Sequence, residues 1–132
     1  AMATGLTTLK LLKEHNIADS VAEKGEWLKG KLGELQKRYP AIGHVRGLGL
    51  MLGIEFVKPQ EAQDQLGCYP ADGDLSALIQ KKCFENGLIL ERGGRHGAVL
   101  RLLPSLLISK EDLGVFLDKF EQAMLAAGVK PV

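Results

Sequence analysis

Apolar positions along the chain change their period several times, and each change marks an element. Leu6, Leu9 and Leu12 recur every third residue, one stripe of a short helix. His15-Asn16 interrupts that stripe, and Asn16 is suited to cap the next helix. This second helix carries Ile17, Val21, Leu28, Leu32, Leu35 and Tyr39 at three-, four- or seven-residue intervals. Ser20 with Glu23 offers an alternative capping box one turn later. Gly25, Gly30 and Gly33 each weaken an isolated helix by roughly 1 kcal/mol. Either packing holds this helix, or the glycines admit another element at close range. Pro40 ends it, because proline disfavours helical backbone in the residue before it.

From Ala41 to Val57 the period is two. Leu48, Leu50, Leu52, Ile54 and Phe56 are expected on one face, with Gly49, Met51, Gly53, Glu55 and Val57 on the other. Gly47-Leu48-Gly49 predicts a bulge or tight bend between strands His44–Arg46 and Leu50–Val57. Residues 58–71 have no period and read as a surface loop. Asp72 or Asp74 caps a third helix with Leu75, Leu78, Ile79 and Cys83 inward, and Asn86-Gly87 stops it. Leu88–Leu90 reads as a short strand, Gly93–Gly97 as a flexible turn, and Ala98–Leu103 as a strand stopped by Pro104. Ser109 with Asp112 opens a last helix whose stripe is Leu113, Phe116, Leu117, Phe120 and Met124; Gly128 ends it. Segregated hairpins and helices predict an α+β fold, an antiparallel-rich sheet with helices on one face.

Length and charge narrow the function classes. The 132 residues suit one domain, 1–132. Seventeen basic against sixteen acidic side chains give a net charge of +1, which lacks the one-sided excess of a nucleic-acid or membrane surface. No apolar run is long enough to span a bilayer, and no basic-then-apolar leader opens the chain. Cys68 and Cys83 match neither a metal spacing nor a disulfide framework, so a reducing, cytoplasmic compartment is expected. The opening Ala1-Met2-Ala3-Thr4-Gly5 runs straight into a helical pattern, as a cut within a longer protein or a short cloning remnant would.

Arg101 is the most informative side chain, since it stands alone in the apolar strand Val99-Leu100-Arg101-Leu102-Leu103. Alternation puts it on the face of Val99 and Leu103, where an unpaired guanidinium is costly. It either forms an ion pair with a nearby acid, reaches water from an edge, or anchors a ligand carboxylate with two parallel hydrogen bonds. Glu91-Arg92-Gly93-Gly94-Arg95-His96-Gly97 concentrates cations and glycines; it is either a solvated hairpin turn or a backbone cradle for an anion. It lies between strands, with no helix start to aim at a phosphate. Glu55 has Arg46 or Arg101 as possible partners, and Cys83 reads as a small core residue. His15, His44 and His96 match no metal-ligand spacing. Metal-binding residues are therefore expected to be absent from this chain.

Four segments together resemble one family. Arg46-Gly47-Leu48-Gly49-Leu50-Met51-Leu52-Gly53-Ile54-Glu55 is similar to the VRGxGLMxGIE hairpin of class III aminotransferases. Cys83-Phe84-Glu85-Asn86-Gly87-Leu88-Ile89 resembles the helix stop that comes after it there, and Leu100–Leu106 resembles the family's (I/L)R(F/L)xPxL strand. Ala1–Leu6 resembles the helix next to the family's large domain. Within the class, Leu90–Gly97 with the LRxLPxL strand is most similar to the diaminobutyrate–2-oxoglutarate group, although Ser105 replaces a second proline common there.

The resemblance implies the small C-terminal domain of a fold-type I enzyme, a homodimer using pyridoxal phosphate to move the 4-amino nitrogen of diaminobutyrate to 2-oxoglutarate. Arg101 matches the family arginine that binds the α-carboxylate of 2-oxoglutarate and glutamate. The Schiff-base lysine and the rest of the cofactor cradle would precede this segment; Lys10, Lys13 and Lys24 lie on polar helix faces. The segment alone is then expected to be inactive, to bind no pyridoxal phosphate, and to expose apolar surface that meets the large domain and the second subunit. Acetylornithine, ornithine or 4-aminobutyrate aminotransferases are an alternative within the fold. A stand-alone α+β module holding a small carboxylate effector on Arg101, and a purely structural packing domain, are alternatives outside it.

Overall fold

The computed structural model describes all residues, 1–132, and its elements run α1 (Met2–Glu14), α2 (Ile17–Arg38), β1 (Ile42–Leu48), β2 (Met51–Phe56), α3 (Gly73–Glu85), β3 (Glu91–Gly93), a 3-10 turn (Arg95–Gly97), β4 (Val99–Leu102) and α4 (Lys110–Ala126). The strands form one antiparallel sheet in the order β1-β2-β4-β3. Alternation splits the two central strands, β2 and β4, between two environments. Leu52, Ile54 and Phe56 of β2 and Leu100 and Leu102 of β4 are buried beneath α2, α3 and α4. They join Leu28, Leu32 and Leu35 of α2, Ile79 and Cys83 of α3, and Leu113, Phe120 and Met124 of α4 in one core. The Phe56 and Phe120 rings lie 6.5 Å apart across that layer. The opposite face of the sheet has no helix on it. The α+β expectation therefore holds, with every strand pair antiparallel.

Local chemistry explains most boundaries. Asp72 accepts a hydrogen bond from Leu75 N at 2.9 Å, and Ser109 accepts one from Asp112 N at 3.0 Å, so both predicted caps are made by side chains. Asn16 separates α1 from α2 but caps differently: its backbone is left-handed, at φ 48°, and its side chain makes no cap bond. Gly87 and Gly128 take positive φ beyond the ends of α3 and α4.

Several expectations need correction, among them the inward place of Leu78, which is 41% exposed on α3. The β1–β2 connection is a two-residue turn, Gly49-Leu50, with Leu48 paired to Met51. That turn resets the alternation, so Leu48 is 83% exposed while Leu50 is buried. The third strand begins at Glu91, not Leu88. Residues 88–90 are held by α3 instead, through Leu88 N to the Cys83 carbonyl (2.8 Å) and Gln80 Nε2 to the Leu90 carbonyl (2.8 Å). The Gly93–Gly97 turn is closed locally and packed on a helix: Gly97 N bonds to the Gly94 carbonyl at 3.1 Å, and the His96 carbonyl lies against the start of α3. A Cβ added at Gly73 would fall 2.0 Å from that oxygen. No helix is long and apolar enough to cross a membrane.

Candidate functional site

Strand register places the charged residues of the open sheet face in two rows. Arg46, Gly53, Arg101 and Glu91 are successive cross-strand partners from β1 through β2 and β4 to β3. His44, Glu55, Val99 and Gly93 form the row beside it. Beyond the first row, at the hairpin end, lie the exposed Leu48, Met51 and Leu103. The face thus has an apolar end and a charged middle.

The two arginines of the first row are held differently. Arg46 is committed: its Nη1 pairs closely with Glu55 Oε2 and lies 3.2 Å from His44 Nδ1. Arg101 is held loosely. Its Nη1 stands 3.4 Å from both oxygens of Glu91, and its side chain is 44% exposed. That distance is long for a charge-assisted bond, which normally closes to about 2.7–2.9 Å. At this exposure such a pair contributes little to stability, on the order of 0–1 kcal/mol. The guanidinium therefore keeps donors that are free to take another carboxylate in the two-bond geometry it favours.

The glycine-rich loop plays a different part from an anion cradle. Its Gly97 and Ala98 N–H groups are spent on the carbonyls of Gly94 and Arg95, and Arg92 Nη1 reaches back to the Gly97 carbonyl at 3.4 Å. Arg95 and His96 are exposed on it. What the loop does is cover Val99: a Cβ at Gly94 would lie 2.7 Å from a Val99 methyl, and Val99 is buried although it faces the open side.

No lysine stands in either row of the open face, and Lys24 of α2 is spent on the carbonyls of Leu106 and Ile108, at 2.9 and 3.0 Å. Cys83 is unsuited to nucleophilic work, since burial pushes its thiol up to about 11.

Of the residues singled out by the sequence, the structure brings Arg46 and Arg101 into one row and pairs Glu55 with Arg46, not Arg101. It leaves His15, His44 and His96 on the surface of separate elements. Sequence reasoning missed Glu91 as the neighbour of Arg101 and Gly93 as the surface beneath it. Both belong to β3, and only the correct start of that strand sets them opposite β4.

Residues 1–124 match the family model Aminotransferase class-III. The diaminobutyrate–2-oxoglutarate aminotransferase of Haemophilus influenzae is 46% identical over 96% of this chain and 28% of its own length. That of Rhizobium meliloti is 41% identical over 96% of this chain and 26% of its own. A solved Bacillus anthracis aminotransferase superposes with a TM-score of 0.78 at 32% identity, covering 92% of this chain and 27% of that one. The chain spans about a quarter of the length of the curated relatives it matches.

Proposed function

The chain belongs to the class-III aminotransferases, a pyridoxal-phosphate-dependent family, and from that premise we propose that it is the small C-terminal domain of an enzyme that moves the 4-amino group of diaminobutyrate to 2-oxoglutarate. The two diaminobutyrate-group relatives at 46% and 41% identity support that choice of substrates. The cofactor supplies the electron sink for the transfer. It is held by the part of the enzyme outside these residues, and the 132 residues alone are inactive. The apolar row Leu48, Met51 and Leu103 meets that remaining part, and the whole enzyme acts as a cytoplasmic homodimer.

In this reading Arg101 binds the carboxylate of the keto acid. The observation that carries it is the half-exposed guanidinium on an open sheet face, with its nearest acid 3.4 Å away. The chemistry of the two substrates gives the role a signature. In 2-oxoglutarate the reacting carbon carries a carboxylate. In diaminobutyrate reacting through its 4-amino group, the reacting carbon carries none. An anchor beside the reacting carbon therefore serves the acceptor and leaves the donor nearly untouched.

Arg101→Ala in the complete transaminase tests this. A hydrogen bond to a charged group is worth ~1.5–3 kcal/mol, so kcat/KM for 2-oxoglutarate should fall roughly ten- to a few hundred-fold. Unchanged kinetics for both keto acid and amino acid would remove the anchor role.

A further inference from the structure

Arg101 does not stand upright from the sheet. It leans over the edge strand β3, and Gly93 is where its head group rests. A Cβ built on Gly93 would lie 2.3 Å from Arg101 Nη2, 2.8 Å from Cζ and 3.2 Å from Nε. These are its three nearest atoms, and they are the planar fork itself. On the other side of Arg101 the situation differs: a Cβ on Gly53, its partner on β2, would meet a Val99 methyl at 3.1 Å and no atom of the arginine. The guanidinium therefore lies over the bare backbone of Gly93 toward the sheet edge, with Glu91 alongside.

We propose that Gly93 is a positioning residue for Arg101: its missing side chain makes the floor on which the guanidinium lies, and so sets where the substrate carboxylate is received. This rests on the carboxylate-anchor reading of Arg101. A fork that must make two parallel bonds is sensitive to its plane, since each N–H has to point along the line to its own oxygen. A methyl group at position 93 occupies the space of Nη2 and Cζ. The mobile end of the arginine swings away at small cost to the fold, but its plane and height over the sheet change. Gly93 lies outside the positive-φ residues, so alanine fits the backbone there.

The experiment is a double-mutant cycle in the complete transaminase, using Gly93→Ala, Arg101→Ala and the pair. KM for 2-oxoglutarate, KM for diaminobutyrate, kcat and the thermal midpoint are measured for each. The expected result for Gly93→Ala is an unchanged melt, a KM for 2-oxoglutarate raised about tenfold, and a diaminobutyrate KM within about twofold of the parent. In the Arg101→Ala background the same substitution should then do nothing further. Four results overturn the proposal, and they are distinguishable. If Arg101→Ala itself leaves 2-oxoglutarate use unchanged, the anchor reading falls and takes the positioning role with it. If Arg101→Ala acts but Gly93→Ala does not, only the positioning role falls. If the two effects add, Gly93 works independently of Arg101. If Gly93→Ala unfolds the enzyme, position 93 is a packing requirement of the sheet.

Discussion

Gly25 of α2 lies backbone to backbone against Gly49 of the β1–β2 turn. A Cβ on Gly25 would sit 2.2 Å from the Gly49 carbonyl oxygen, and one on Gly49 would sit 2.8 Å from a Val21 methyl. The contact seats the hairpin under the helix, and so fixes the sheet that carries Arg101. It also sorts the three glycines of α2. Gly30 and Gly33 meet nothing within 4 Å, so they cost helix stability without serving a close approach.

Gly25→Ala should therefore destabilise the chain by about 1–3 kcal/mol, as overpacking against fixed backbone does. Gly30→Ala should stabilise it by up to about 1 kcal/mol. Urea unfolding of the two variants checks both signs. Equal effects would mean that the helix does not cross the turn as closely as the structure shows.

The sequence revealed elements wherever one stripe of side chains is buried. Leu28, Leu32 and Leu35, Leu52, Ile54 and Phe56, and Leu113, Phe116 and Phe120 each kept the period of their element and all lie in the core. The Asp72 and Ser109 caps were legible because their partners are three residues away. Failures arose where a residue's fate depends on a distant segment. Leu88 and Leu90 pack as a strand would, yet their backbone is held by Cys83 and Gln80 of α3. Alternation alone put Arg101 on one face with Val99 and Leu103; that this face is open to solvent was not legible, because it depends on where the helices pack. The neighbours of Arg101, Glu91 and Gly93, required the register between β3 and β4, which no local pattern encodes.

The two cysteines should behave oppositely toward thiol reagents. Cys68 is exposed on the loop between β2 and α3, while Cys83 is fully buried on α3. At pH 8 the native chain should release one thiol quickly and the second only on unfolding. Burial also makes stability depend on alkaline pH. The Cys83 thiol is raised from its ordinary value of 9.0 to about 11, so the unfolded chain loses this proton first. The stability it contributes is complete below pH 9 and is lost as pH rises from about 9 to about 11, by roughly 2–3 kcal/mol in total. Cys83→Ala should lower stability at neutral pH by leaving a cavity, and should flatten the curve across that window. Two thiols reacting at one rate in the native chain would contradict the burial.

Met51→Lys separates what the chain needs for its own fold from what it offers to the rest of the enzyme. Met51 is 65% exposed, opposite Leu48 in the register and on the open side of β2. In the 132-residue chain a lysine there keeps its head in water, and the thermal midpoint should hardly move, since exposed substitutions away from special contacts stay within about 0.5 kcal/mol. In the complete transaminase the same lysine should be forced into the interface between this domain and the preceding part. An ammonium buried there without a partner costs several kcal/mol, so domain docking and activity should both fail. Limited proteolysis would show the loss of docking as faster cleavage ahead of α1. A complete enzyme that tolerates Met51→Lys as well as the short chain does would show that the Leu48, Met51 and Leu103 end of the sheet stays in solvent.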